Sequence, residues 1–261
     1  SIRYLLGGIW VLTLVLYPYV FLMTYAGFKT LGKRSVEVGQ SLGFTPLEQF
    51  KKVTLPMVKP WILSAVVIVS LESLADFGAM SILTLPTLST QIYHLWFGYF
   101  SLEGACRLAG ILVVIALLLY KVEANQREKK IHSELGRSEG KRVPQSLSGK
   151  KLLLVQSVML LLVSASVLIP VGQLIVWSST LTGVNWQLYS QLGLNTLIIT
   201  VIATTVCVSM AFLLSYLAQN PPTYIKVLLP VSLMGYAIPG SVIAIGVIII
   251  MSLGASVSAL F

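Results

Sequence analysis

Few side chains in this sequence are able to do acid–base or ligand chemistry. Glu72 and Asp76 stand four residues apart inside an apolar run, a spacing that puts two carboxylates on one face of a helix. Ionisable groups in such a run are expensive and face a cavity or a partner, which makes them candidates to line or gate a pathway near its outer half. The plain alternative is that hydrogen bonds to neighbouring helices hold them for packing. Two ligands leave a metal site incomplete, and His94 and Glu103 add no ligand spacing. Neither a metal site nor a catalytic group is expected. Cys106 and Cys207 lie isolated in apolar runs and read as small apolar filler.

Two apparent nucleotide motifs are decoys. Gly27-Phe28-Lys29-Thr30-Leu31-Gly32-Lys33 nearly spells a phosphate-binding loop, but Arg34 stands where Ser or Thr would hold magnesium. An apolar run precedes it, where a strand is required. Asp76-Phe77-Gly78 matches the kinase triplet without the catalytic or Gly-rich loop that gives it meaning. The chain is not expected to be an enzyme or to carry a cofactor; any ATP chemistry belongs to a separate subunit.

The elements that position these residues follow from composition. Of 261 residues 56% are hydrophobic and only 10% charged, against about a quarter charged in soluble domains, and the mean hydropathy is +0.87. The apolar residues gather in six runs near 4–28, 61–83, 105–120, 152–178, 194–217 and 227–252. The third could begin around Leu102. A hydrocarbon core takes about 20 helical residues to cross, and without water the backbone must satisfy itself as helix. The reading is an all-α integral membrane protein with about six transmembrane helices. The chain opens with Ser1 and enters an apolar run at once, which implies a natural start further upstream.

A net charge of +9 invites a nucleic-acid reading, but the charges fall in the gaps between apolar runs. Alternating six spans puts the gaps 29–59 and 121–151 and the turn at Lys226 on one side, with sixteen of the eighteen Lys and Arg residues. By the positive-inside rule that side is the cytoplasm. The polar stretch Glu123 to Lys150 holds Gly136, Gly140, Pro144 and Gly149 and reads as a flexible cytoplasmic linker between two bundles. A lipid-binding polybasic segment fits less well, because Glu123, Glu128, Glu134 and Glu139 are interspersed.

The cytoplasmic loop 29–60 is the most informative segment. Ser35 is placed to cap a short helix beginning with Val36 and Glu37, and an acid in the first turn suits the helix dipole. Gly43 then supplies a C-terminal stop. Thr45-Pro46-Leu47-Glu48 is a capping box with Pro at the first helical position, opening a second helix to about Val53 before Leu55-Pro56 redirects the chain into the membrane. Leu42, Phe44, Leu47 and Phe50 give this helix–glycine–helix loop apolar surface for a partner, or for lipid headgroups.

Glu37-Val38-Gly39, three residues, Gly43, nine residues, then Val53-Thr54-Leu55-Pro56 resembles the loop of binding-protein-dependent ABC importer permeases. That pattern is Glu-Ala-Ala, three residues, Gly, nine residues, Ile-x-Leu-Pro, and every spacing is matched. Val38, Gly39 and Val53 depart from it, and Gly39 weakens its helix by about 1 kcal/mol relative to Ala. The resemblance implies a type I ABC importer permease fold in the bacterial cytoplasmic membrane, with this loop docking on a pair of ATPase subunits. An extracytoplasmic binding protein would deliver the substrate. Glu37, Gly39, Gly43, Phe44, Leu47, Val53, Leu55 and Pro56 would then be the coupling residues.

The segments Glu72–Gly78, Ser89–Tyr93 and Trp96-Phe97-Gly98 are similar to ferric-iron importer permeases, which often fuse two halves in one chain. Asn195-Thr196-Leu197 and Ile238-Pro239-Gly240 resemble the early spans of a second half. This implies two partial halves: residues 1–120 as the last three spans of one, 121–151 as linker, and 152–261 as the first three spans of the next. Thiamine, a polyamine or an oxyanion remain open as cargo. So do an ion-gradient-driven transporter working through Glu72 and Asp76 and a membrane scaffold.

Overall fold

A computed structural model describes residues 2–30, 39, 41–135, 148–180, 185–219, 235 and 238–258. Its elements are α1 (Ile2–Thr30), α2 (Pro46–Gln49), a π turn (Phe50–Thr54), α3 (Leu55–Ala75), α4 (Gly78–Ile82) and α5 (Leu88–Tyr93) with a π turn (His94–Gly98). Then come α6 (Leu102–Leu135), α7 (Lys150–Val163), a π turn (Ser164–Leu168), α8 (Ile169–Thr180), α9 (Trp186–Leu217) and α10 (Gly240–Ser258). Among the described residues five helical stretches are long and apolar enough to cross a bilayer, and Gly240–Met251 is a shorter apolar helix.

Two compact units emerge, Ser1–Gln156 with Tyr236–Phe261, and Ser157–Gly235. In the first, α1 and α6 both lie along α3. Small residues on one side of each contact receive larger ones on the other, as expected where lipid removes the hydrophobic drive and close van der Waals approach must replace it. Ala116 packs with Val67 and Leu71, while Ala105, Ala109 and Leu112 pack with Ile92 and with Ile245 of α10. Two glycines of α1 receive large neighbours. A β-carbon at Gly27 would stand 2.7 Å from Cγ of Trp61, and one at Gly8 would stand 2.6 Å from Cδ1 of Leu85. Between these notches α1 and α3 leave an apolar cavity of about 650 Å³, walled by Leu16, Val20, Phe28 and Val69 and reached by Ser73.

The second unit holds most of α7, with α8 and α9, and its described side chains are not buried. Helices apolar on every side belong in lipid or against partner helices.

Four boundaries differ from the sequence reading. The second span was expected over 61–83, but α3 ends at Ala75, where Asp76 turns to extended backbone with ψ 114°. The third span begins at Leu102 and continues to Leu135, so the first part of the 121–151 linker is helix. Intrahelical hydrogen bonds can propagate past the membrane surface wherever no Gly or Pro intervenes, and none does before Gly136. The second loop helix does not stop near Val53; Pro46–Ala75 is one continuous helical run. Packing also crosses the expected domain boundary, since α10 sits with the first unit. The linker residues 136–147, the turn at Lys226 and the start of the sixth span lie outside the described residues.

Candidate functional site

Of the loop residues singled out, Glu37, with the expected start of its helix at Ser35, lies outside the described residues. The remainder of the loop is built around a helix C-terminus at Gly43. Gly43 has φ +69°, the left-handed region that glycine enters without a side-chain penalty. The Phe44 N–H donates to the Gly39 carbonyl at 3.0 Å, the six-to-one bond of a Schellman motif with Gly43 at its C′ position. A β-carbon at Gly43 would meet nothing within 4 Å, so the backbone conformation alone calls for glycine there.

Immediately after, the capping box closes. The Thr45 N–H donates to Glu48 Oε2 at 3.1 Å, the Thr45 hydroxyl donates to the same oxygen at 2.8 Å, and the Glu48 N–H returns to Thr45 Oγ1 at 3.4 Å. Pro46 occupies the first turn, where its missing N–H is not needed. Lys52, one turn on, pairs with Glu48 Oε1 at 3.1 Å and lies over the Phe44 ring at 4.8 Å from its centroid. The hydrogen bonds from Thr45, and then Lys52, hold the Glu48 carboxyl down at about 2 from the ordinary 4.5. A run of 30 residues is about 45 Å long against a hydrocarbon core of about 30 Å. The charged first turns with Glu48, Lys51 and Lys52 therefore extend past the hydrocarbon core.

The turn that leads into the membrane is a π turn. The Leu55 N–H donates to the Phe50 carbonyl, one residue further back than in an α-helix. The wider turn accommodates Pro56, whose ring and missing N–H would break a regular ladder. Thr54 is buried here, Val53 half-buried, and Leu55 and Pro56 are exposed. Leu42, Leu47 and Phe50 are 61%, 64% and 44% exposed. They are apolar groups that the fold leaves uncovered on a loop held rigid by its own hydrogen bonds.

Sequence reasoning missed two members of this arrangement. Lys52 was legible, because it stands four residues after Glu48. Gln49 was not. A β-carbon at Gly39 would stand 2.6 Å from Gln49 Cγ and 2.9 Å from its Cδ, so the two arms of the loop touch there.

Glu72 lies on α3 and Asp76 is its C-cap, with φ −67° still helical and ψ 114° turning the chain out of the helix beyond it. Asp76 serves the turn that follows: its Oδ1 accepts the Ala79 N–H at 3.4 Å, and its carbonyl accepts the Ser89 hydroxyl at 2.8 Å. Its Oδ2 is buried and has no hydrogen-bond partner among the described residues. His94 lines a cavity of about 360 Å³ with Tyr93, Phe77 and Thr84, and Glu103 pairs with Arg107. Cys106 and Cys207 are exposed on their helices and do not fill a core.

Residues 2–122 match the family of binding-protein-dependent transport system inner membrane components. The Fe(3+)-transport system permease protein FbpB 2 of Haemophilus influenzae is 28% identical over 248 residues, covering 93% of this chain and 49% of that protein. A spermidine/putrescine transport system permease protein PotC homolog of Mycoplasma genitalium is 30% identical over 43% of this chain and 41% of its own length. The sulfate transport system permease protein CysW of Synechococcus elongatus is 29% identical over 44% of each. The chain spans about half the length, or less, of these relatives. No solved structure matches it. The segment similar to that family, residues 2–122, holds the loop and the apolar helical stretches Leu5–Thr30 and Pro46–Ala75, each long enough to span a bilayer.

Proposed function

We propose that this chain forms part of the membrane permease of an ATP-driven importer, and that the loop from Glu37 to Pro56 is its dock for the ATPase subunits. The observation that carries this reading is the loop itself. Its glycine C-terminus and capping box hold Leu42, Leu47 and Phe50 exposed at the end of a spanning helix. A rigid apolar surface at the mouth of a span is able to pass a push from a partner into the helix that follows it without a break. Rocking of two permease halves, biased by the differential affinity of the ATPases for each state, would then alternate access.

For cargo we propose ferric iron, delivered by an external binding protein. The iron permease relative aligns over 93% of the chain, through the linker and the later spans, whereas the polyamine and sulfate relatives align over less than half. That alignment also supports the two-half order, with 1–120 closing one half, 121–151 linking and 152–261 opening the next. Uptake in sealed vesicles tests the reading. Accumulation of ferric iron that requires both ATP and the binding protein is the expected result. Uptake of spermidine or sulfate instead would overturn the cargo, and uptake abolished by collapsing the proton gradient alone would overturn ATP-driven import.

A further inference from the structure

We propose that Gly39 and Gln49 are a matched pair that sets the spacing of the loop's two arms and so positions the docking surface, an inference that rests on the reading of the loop as an ATPase dock. Gly39 is buried, and the reason is Gln49: the side chain leaving α2 lies across the Gly39 Cα where a methyl group would stand. The separations of 2.6 Å to Cγ, 2.9 Å to Cδ and 3.3 Å to Cβ leave no room for a β-carbon unless Gln49 or its helix moves. Three other contacts make α2 slow to move. The Phe44 N–H is tied to the Gly39 carbonyl, Thr45 and Glu48 close the capping box, and Lys52 bridges Glu48 and the Phe44 ring. The three heavy atoms nearest that position all belong to Gln49, so its bulk bears directly on how closely the arms approach there.

This assignment predicts a sign opposite to that from helix propensity. Gly39 lies in helical backbone, where alanine is ordinarily better than glycine. If the close approach governs, Gly39→Ala harms the loop in spite of its better propensity, because overpacking a closed contact forces side chains off their preferred rotamers and shifts backbone. Removing the Gln49 side chain should reverse the effect, since the new methyl group then fills the space that Gln49 vacates.

The purified permease carrying paired spin labels at the exposed positions 42 and 51 measures the arm spacing directly, whether or not an ATPase binds. Expected are a longer distance in Gly39→Ala, a broadened distribution in Gln49→Ala, and a return toward the wild-type distance in the double variant. ATPase binding to the same variants should fall about tenfold in Gly39→Ala and recover in the double variant. Distances in Gly39→Ala identical to the wild type, or no relief from Gln49→Ala, would overturn the pairing. An ATPase that fails to bind even the wild-type permease would count instead against the docking reading, with the label distances still deciding the pair.

Discussion

Replacing Gly43 by valine isolates the free energy of a single backbone conformation. Gly43 sits at φ +69° with open space around its Cα, so a new side chain meets no neighbour and only the left-handed geometry resists it. For an L-residue that geometry costs about 1–2 kcal/mol, a factor of roughly 5–30 in the population of the closed loop. The protein contains its own control. Thr84 occupies the same C′ position after α4, at φ +53°, with Leu85 N–H donating to the Met80 carbonyl at 2.9 Å and Thr84 N–H to the Ser81 carbonyl at 3.1 Å. A β-branched residue is therefore held there, but by surroundings that over-determine it. Leu85 is seated against Gly8, and Thr90 Oγ1 donates to the Leu85 carbonyl at 3.0 Å. Gly43 has no such neighbours within reach of a β-carbon, so valine there should open the loop. The assay is cross-linking of a cysteine at the exposed Leu47 position to the ATPase, alongside uptake. Gly43→Val should lower both while the helices still insert, and Gly43→Asn, which tolerates the left-handed region better, should fall between. Full cross-linking and transport in Gly43→Val, or an Asn variant as impaired as the Val one, would refute the argument.

Three further outcomes are expected. A carboxyl held at about 2 rather than 4.5 contributes stability above pH 4.5 and loses it as pH falls through 2. The label distance between positions 42 and 51 should therefore stay constant down to about pH 4.5 and spread below it, with no such transition in Glu48→Gln. Gly27→Ala forces a methyl group into Trp61 and should cost about 1–3 kcal/mol, read as a lower melting temperature and altered tryptophan emission; an unchanged melt would refute the close approach of α1 and α3. Changing Glu72 to Gln and Asp76 to Asn together should reduce uptake while leaving insertion and ATPase binding intact, and unaltered uptake would leave both acids with a packing role.

Local chemistry accounts for much of the helical framework. Runs of apolar residues must be helices once water is excluded, so α1, α3, α6, α7–α8 and α9 were legible from composition. Gly43 and the Thr45–Glu48 box were legible because caps depend on residues three or four apart, whose interaction needs no distant partner. Where helices end inside polar stretches was less legible: α6 running on to Leu135 reflects the absence of a breaker, which flexible-looking composition conceals. The rest depended on residues distant in the chain. The end of α3 at Asp76 is fixed partly by Ser89, thirteen residues away. The demand for glycine at 27 and 39 comes from Trp61 and Gln49, side chains delivered by other elements. Close approach between helices is a property of two surfaces at once, and one strand of letters records only the small residue, never what fills the space beside it.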